Sequence, residues 1–225
     1  MSAVMKLACF LIFIFVSPHL TGCGNSPNKS AGQNSKEEKV LPPKAVSSIQ
    51  ESFQPFYIFS DTGSRLNHYV PSGFMPDGKC VALDDTWSKE CVAGSTCLRI
   101  NYDIACSRQQ KKWAGIYWLN PANNWGQKKE GGFTLTGAQK LTFWAKGEKG
   151  GERIEEFKIG GITGEFPDTD TAVIGPVILT SEWKEYSIDL RGKDLSYISG
   201  GFAWSTNVDV NPESCTFYLD DMRYE

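Results

Sequence analysis

The chain has 225 residues, of which 40% are hydrophobic and 12% aromatic, and its 23 Lys and Arg against 26 Asp and Glu leave a formal charge of −3. So small a charge, with no run of basic residues, excludes nucleic acid as a partner and gives no general attraction to an acidic surface. The length leaves room for one core of ordinary size once the polar N-terminal stretch is set aside.

The first segment reads as an export signal. Lys6 supplies a positive start, Leu7 to Val16 forms an apolar run, and Ser17-Pro18-His19 breaks it. A run this short falls below the ~20 apolar residues that span a bilayer. Leu20-Thr21-Gly22-Cys23 then resembles the bacterial lipobox, in which small residues let the peptidase close on the bond before an acylated Cys. The resemblance implies a signal peptide over 1–22, covalent lipid on Cys23, and anchoring to a membrane of the cell envelope. Acyl chains contribute ~0.8 kcal/mol per buried CH₂, so two or three of them hold a protein almost permanently. Gly24, where an Asp would favour inner-membrane retention, points to the outer membrane in an organism that has one.

Residues 23–52 lack aromatic residues and consist largely of Ser, Asn, Lys, Gln, Pro and Gly. Such a stretch cannot bury enough apolar surface to offset its ordering entropy. It is expected to act as a tether with a reach of roughly 30 Å. The composition changes at Phe53, and 53–225 holds all seven Trp and all eight Tyr.

In that region strand patterns recur between Gly, Pro, Asn and Asp clusters, and helix patterns are almost missing. Expected strands are Phe56–Ser60, Cys80–Leu83, Thr96–Tyr102, Trp113–Leu119, Lys140–Lys146, Ile154–Ile159, Val173–Leu179, Lys184–Leu190, Gly201–Ser205 and Thr216–Tyr224. Period-two alternation predicts that Leu141, Phe143 and Ala145 share a buried face, and likewise Tyr186, Ile188 and Leu190. Ten short strands in this length predict an all-β jelly-roll β-sandwich. Cys80, Cys91, Cys97, Cys106 and Cys215 lack the spacing and the His partners of a zinc site, so disulfides are expected, with at least one thiol left over. Two bridges among five Cys allow fifteen arrangements, and spacing does not choose among them.

Three segments, Leu141-Thr142-Phe143-Trp144-Ala145-Lys146-Gly147, Glu182-Trp183-Lys184-Glu185-Tyr186-Ser187-Ile188-Asp189-Leu190 and Phe217-Tyr218-Leu219-Asp220-Asp221-Met222, occur in the order of a known family's strands. In that order they resemble galactose-binding-domain-like β-sandwiches, which include many carbohydrate-binding modules. The resemblance implies a structural calcium between the exit of the first strand and the last strand. The corresponding residues are Asp61 and the Asp220-Asp221 pair, with carbonyls or water completing the six to eight oxygens that calcium takes.

The stretch from Trp113 to Gly126 is the richest in aromatic residues, with Trp113, Tyr117, Trp118 and Trp125. Flat rings stack on the C–H faces of sugars, and amide side chains take the hydroxyls. Trp125, in a polar loop beside Asn123 and Asn124, is the leading carbohydrate candidate. Trp87 is second, for its polar neighbours Asp84, Asp85 and Ser88, and Trp118 is a further candidate. Alternation puts Trp113 and Tyr117 on one strand face and Ile116 and Trp118 on the other, so one of these sets belongs to the core. Trp204 and Phe202 share a face and are expected to pack inside. His68 lacks a nucleophile motif beside it and reads as a packing or ligand-bonding residue. Jelly-roll glycosidases place several acids on one strand. The nearest run here, Glu152-Arg153-Ile154-Glu155-Glu156, lacks their central Asp and is followed by Lys158 on the face of Glu152 and Glu156. The expected function is therefore non-catalytic carbohydrate binding by a membrane-anchored lipoprotein. The alternatives are an envelope protein-interaction or assembly lipoprotein and, more remotely, a glycoside hydrolase.

Replacing the acylated residue tests the anchor. Cys23→Ala is expected to yield unprocessed or soluble protein, and a variant that stays processed and membrane-bound after a carbonate wash would refute the lipid.

Overall fold

The computed structural model describes residues 52–213 and 215–225. The expected signal peptide, Cys23 and all but the end of the tether lie outside them. In chain order the strands are β1 (Phe56–Phe59), β2 (Val70–Pro76), β3 (Val81–Trp87), β4 (Cys97–Tyr102), β5 (Trp113–Leu119), β6 (Lys140–Gly147) and β7 (Arg153–Ile154). They continue with β8 (Glu156–Gly160), β9 (Thr171–Ile174), β10 (Val177–Ile178), β11 (Lys184–Asp189), β12 (Gly200–Asn207) and β13 (Cys215–Tyr224). One short helix, α1 (Ile104–Ser107), follows β4, and its Cys106 is bonded to Cys80.

Eleven of the strands form the two antiparallel sheets of a jelly-roll β-sandwich, and β7 and β10 pair separately. The first runs β11-β6-β13-β4-β3, with β1 pairing the far end of β13, and the second runs β2-β5-β12-β8-β9. The inward positions follow the alternation in the sequence. Leu141, Phe143 and Ala145 of β6 are fully buried, and Ile188 and Leu190 are buried while Glu185, Ser187 and Asp189 are exposed. The sheets meet through rings. Phe202 of β12 lies 5.2 Å from Phe143 of the opposite sheet, 5.5 Å from Trp118 and 5.8 Å from Phe157, centroid to centroid. Trp204 meets Phe217 edge-on across the gap at 5.0 Å. Edge-on and tilted pairs add about 0.5–1.5 kcal/mol each beyond the area they bury.

Several boundaries differ from the sequence expectation for local reasons. The segment Val70–Pro76, absent from the expected strands, is a strand. It is the edge of its sheet, the place where Pro71 and Pro76 are tolerated because no further strand needs their missing N–H. The expected strand Val173–Leu179 divides at Gly175-Pro176 into β9 and β10. Ile154–Ile159 divides as well, with β7 pairing β10 and β8 pairing β12 and β9. The disulfides are Cys80–Cys106 and Cys91–Cys97. Cys215 is the remaining thiol of the described residues, and burial, with the Glu152 carboxylate adding to it, pushes its pKa up to about 12.

Trp118 is 1% exposed and packs in the core against Phe202, so it offers a ligand no surface. Its indole takes the inward side of β5 because Ile116 and Ala114 share that parity. Trp118→Ala is expected to cost about 3–5 kcal/mol in chemical denaturation; a loss below 1 kcal/mol would place the ring outside the core.

Candidate functional site

The outward face of the second sheet carries an apolar cluster of its own. Tyr117 and Leu119 of β5, Ala203 of β12 and Ile162 form it, with Met75 of β2 and Trp125 packed against them. Outward positions of a sandwich are ordinarily polar, so this cluster has to be explained. Strand register sets a row across the sheet, Lys158, Ala203, Tyr117 and Gly73. The low centre of the row is made by the residues without bulk. A Cβ on Gly73 would stand 2.8 Å from Tyr117 Cβ and 3.0 Å from Trp125 Cζ2, so glycine is what lets Trp125 lie here. The Trp125 ring meets Tyr117 edge-on at 5.7 Å. Its indole N–H has no acceptor among the described residues.

The loop carrying Trp125 is built by Asn124. This side chain is fully buried, and its Oδ1 accepts from the backbone N–H groups of Gly126, Gln127 and Lys128 at 3.1–3.2 Å. Its Nδ2 donates to the carbonyls of Asn120 and Lys128. Every polar atom of Asn124 is thus spent on the loop, and it holds the ring in place without facing a ligand. Gly126, at φ +87°, lies so close to Thr163 that a Cβ would come within 1.9 Å of its carbonyl oxygen. Asn123 is exposed, and its backbone N–H is tied to Ser72 Oγ at 2.9 Å while its amide points free. Gln127 Oε1 accepts from Trp125 N at 2.8 Å, which leaves its Nε2 available on the exposed side.

Charge reaches the face from β8. The Lys158 ammonium sits 5.4 Å above the Tyr117 ring and 3.9 Å from Glu156. Burial works against its charge, yet the Tyr117 hydroxyl and the Glu156 carboxylate outweigh it and raise its pKa. Tyr117 is itself raised, chiefly by burial, and its hydroxyl donates to the Gly160 carbonyl at 3.1 Å. Strand parity separated Tyr117 from Trp118 without saying which faced outward, and the structure puts Tyr117 on the open face. Lys158, Gln127 and Met75 carried no such signal, because each joins the site only through pairing or loop closure.

The other expected site residues lie elsewhere. Trp87 is on the outer face of the opposite sheet, where its ring meets Tyr218 at 5.8 Å and its Nε1 donates to the Lys89 carbonyl at 3.0 Å. The structure does not bring it near Trp125's sheet. Asp61, Asp220 and Asp221 do not fit a calcium site. Asp61 Oδ1 accepts from Ser95 N, Thr96 N and Thr96 Oγ1, and these hydrogen bonds, Ser95's first, lower its pKa. Asp220 Oδ2 accepts from Val92 N and Ala93 N, and burial raises its pKa. Asp221 pairs with Arg223. The ligand atoms gathered at Asp220 are the sulfurs of Cys91 and Cys97, already joined to each other. Backbone amides thus fill the role that a cation would have at Asp61 and Asp220, and the Arg223 guanidinium fills it at Asp221. His68 stacks on Phe56 at 3.9 Å, and burial lowers its pKa. In the acidic run, Glu152 is buried, Glu155 pairs with Arg153 at 2.9 Å, and Glu156 faces Lys158.

Asn124→Ala would orphan three backbone N–H groups and the Asn120 carbonyl at once, while the Lys128 carbonyl keeps Gly131 N and the Tyr197 hydroxyl. With one unsatisfied buried group costing about 1–3 kcal/mol, a loss of at least 2 kcal/mol is expected in denaturant titration, with a shifted Trp125 fluorescence. An unchanged midpoint would show that the loop does not depend on this amide.

No family model matches the chain, and comparison with curated protein sequences finds no match. Among solved structures it is similar to the family 30 carbohydrate-binding module of the cellulosomal cellulase Cel9D-Cel44B of Clostridium thermocellum, with 17% identity, 76% of this chain and 97% of that chain covered, and a TM-score of 0.44. It is also similar to a family 29 carbohydrate-binding module, at 12% identity over 76% of this chain and 91% of that one, with a TM-score of 0.45. A third is the family 11 module of the cellulase Lic26A-Cel5E of the same organism, at 16% identity over 64% and 80%, with a TM-score of 0.39. Likeness at this level assigns no residue a role.

Proposed function

We propose that the domain binds a carbohydrate without catalysis, through the open face of the β2-β5-β12-β8-β9 sheet, and that lipid on Cys23 holds it at the cell envelope, on the outer membrane where the organism has one. The observation that carries the binding reading is the ring of Trp125, braced from beneath by Tyr117 and Leu119 and set by Asn124, with an unpartnered indole N–H. A flat ring held rigid at low entropy cost is what stacking on a sugar requires. Asn123, Gln127 and Lys158 supply free donors and acceptors around it for hydroxyls. The polar groups interspersed on this face, Lys158, Glu156, Ser205 and Asn207, favour a hydroxylated ligand over the broad apolar patch that a protein contact uses. The anchoring reading rests on the lipobox-like Leu20-Thr21-Gly22-Cys23. The commitments of Glu152, Glu155 and Glu156 described above support a binding role over glycoside hydrolysis.

A neutral-glycan array followed by titration tests the site. Trp125→Ala is expected to weaken binding at least tenfold, about 1.4 kcal/mol, with a smaller loss of stability than Trp118→Ala. No glycan bound on a broad array, together with a specific protein partner crosslinked at Trp125, would overturn the reading in favour of envelope assembly.

A further inference from the structure

The end of the sandwich opposite the chain's entry holds a second, differently charged site. Six consecutive exposed residues, Arg108-Gln109-Gln110-Lys111-Lys112-Trp113, lead out of α1 and into β5. Lys79 joins them because Lys111 N donates to Asp77 Oδ1 at 3.0 Å, two residues from Lys79 in sequence. None of Lys79, Arg108, Lys111 and Lys112 forms an ion pair among the described residues. The sequence hides this concentration of charge, since the chain as a whole is slightly acidic.

Two of these cations line a cleft of about 430 Å³ with Val208, Asp209 and Pro212. Its walls are fixed by backbone contacts. Arg108 Nη2 donates to the Pro212 carbonyl at 2.6 Å, and Val208 N donates to the Lys112 carbonyl at 3.0 Å. Lys112 stands at φ +68°, which turns the chain sharply from the cleft into β5. Beside it Trp113, 40% exposed, takes the same outward parity as Tyr117. At ~3.4 Å per residue, the four-residue step from Trp113 to Tyr117 separates the two rings' attachment points by about 14 Å along the open face.

We propose that this cleft binds the anionic group of an acidic polysaccharide, a carboxylate or sulfate taken by Arg108 and Lys112, with Trp113 stacking on the adjoining sugar ring. Guanidinium and ammonium together match an oxyanion, and Asp209 accepts from a neighbouring hydroxyl. The choice of a saccharide over another polyanion rests on the carbohydrate-binding reading above; the anion cleft itself does not. A lipid surface is the less favoured occupant. The cleft lies at the Cys215 end of β13, whereas the chain enters the domain beside Tyr224, at the other end. The N-terminal segment therefore joins the domain at the end away from the cleft.

The test uses the chain from Gly24 onward, whose whole described core lies within residues 52–225. Affinity electrophoresis and titration compare polygalacturonate with its methyl ester, dextran sulfate with dextran, and both with phosphatidylglycerol vesicles. The polyanions are expected to bind at least tenfold more tightly than their uncharged counterparts, and the preference is expected to fall as salt is raised. Arg108→Ala with Lys112→Asn, the Asn chosen to tolerate the positive φ, is expected to abolish the preference. A Lys111→Glu variant, whose side chain makes no contact that the fold uses, is expected to weaken it, with unchanged melting as the control for folding. Trp125→Ala is expected to leave the preference for charge intact, so failure of the neutral-glycan site and failure of this one are separable. Equal binding of charged and uncharged polymers, no binding of either polyanion, full retention of the preference in the double variant, or binding of vesicles alone would each overturn the proposal.

Discussion

The two sheets are held face to face by aromatic rings, and the rest of the molecule depends on that contact. Phe202 touches rings from both sheets, Phe143 on one side and Trp118 and Phe157 on the other. Because strand residues alternate, committing these rings inward fixes the parity of β5, β6, β8 and β12 together. A slip of one residue in any of them would turn a Phe or Trp outward and send Tyr117, Lys158 or Trp144 into the core. The open face is thus defined by what the interior has already taken. Close packing of this kind also makes the sheet a stiff platform, on which a loop ring keeps its position.

The tryptophans divide by the fate of their indole N–H as much as by depth. Trp87 and Trp183 donate to the adjacent carbonyls of Lys89 and Glu90, at 3.0 and 2.6 Å. They grip the exposed residues 88–90 from two sides, and Lys146 adds an ion pair to Glu90 at 2.9 Å. Asp220 then holds the amides of Val92 and Ala93, and Asp61 those of Ser95 and Thr96, inside the Cys91–Cys97 ring. The outer face of the first sheet is in this way occupied by the protein's own loop. Trp204 is the exception inside the core, fully buried with an N–H that finds no acceptor. Such a group costs about 1–3 kcal/mol, and its edge-on contact with Phe217 is what the structure sets against that cost.

Much of this was legible in the chain, and the remainder was hidden for identifiable reasons. Alternation located β5, β6, β11 and β13 and separated Tyr117 from Trp118, because period two is a local property. The strand β2 was unreadable because Pro71 and Pro76 count against a strand unless it is known to be an edge, which only the finished sheet reveals. Asn123 and Asn124 look alike in sequence, yet one amide is free and the other wholly consumed, a difference made by loop closure. Trp87 looked like a surface ligand for its polar neighbours, but Asp84 and Asp85 lie on β3 and the indole N–H is spent on the strapped loop that Ser88 begins. The acidic residues of the first-strand exit and last strand suggested a cation, but whether a carboxylate meets a metal or a backbone amide depends on where residues 92–96 fold back. Lys79 could not be grouped with Arg108, Lys111 and Lys112 from the chain, because the contact of Lys111 with Asp77 joins segments far apart in it.

The pairing of Phe56 with Tyr224 has a consequence for how the domain is wired into a longer polypeptide. The first and last strands leave the fold side by side, and Glu225 N and Lys140 O remain bonded at 2.9 Å at that same edge. The backbone therefore closes nearly into a circle. Linking residue 225 to residue 52 by a few residues and opening the chain at an exposed tip such as 192 is expected to preserve every strand pairing, as adjacent termini allow. It would also move the point of attachment along the same end of the sandwich, from the β1-β13 pair to the outer edge strand β11, whose last residue pairs with Lys140.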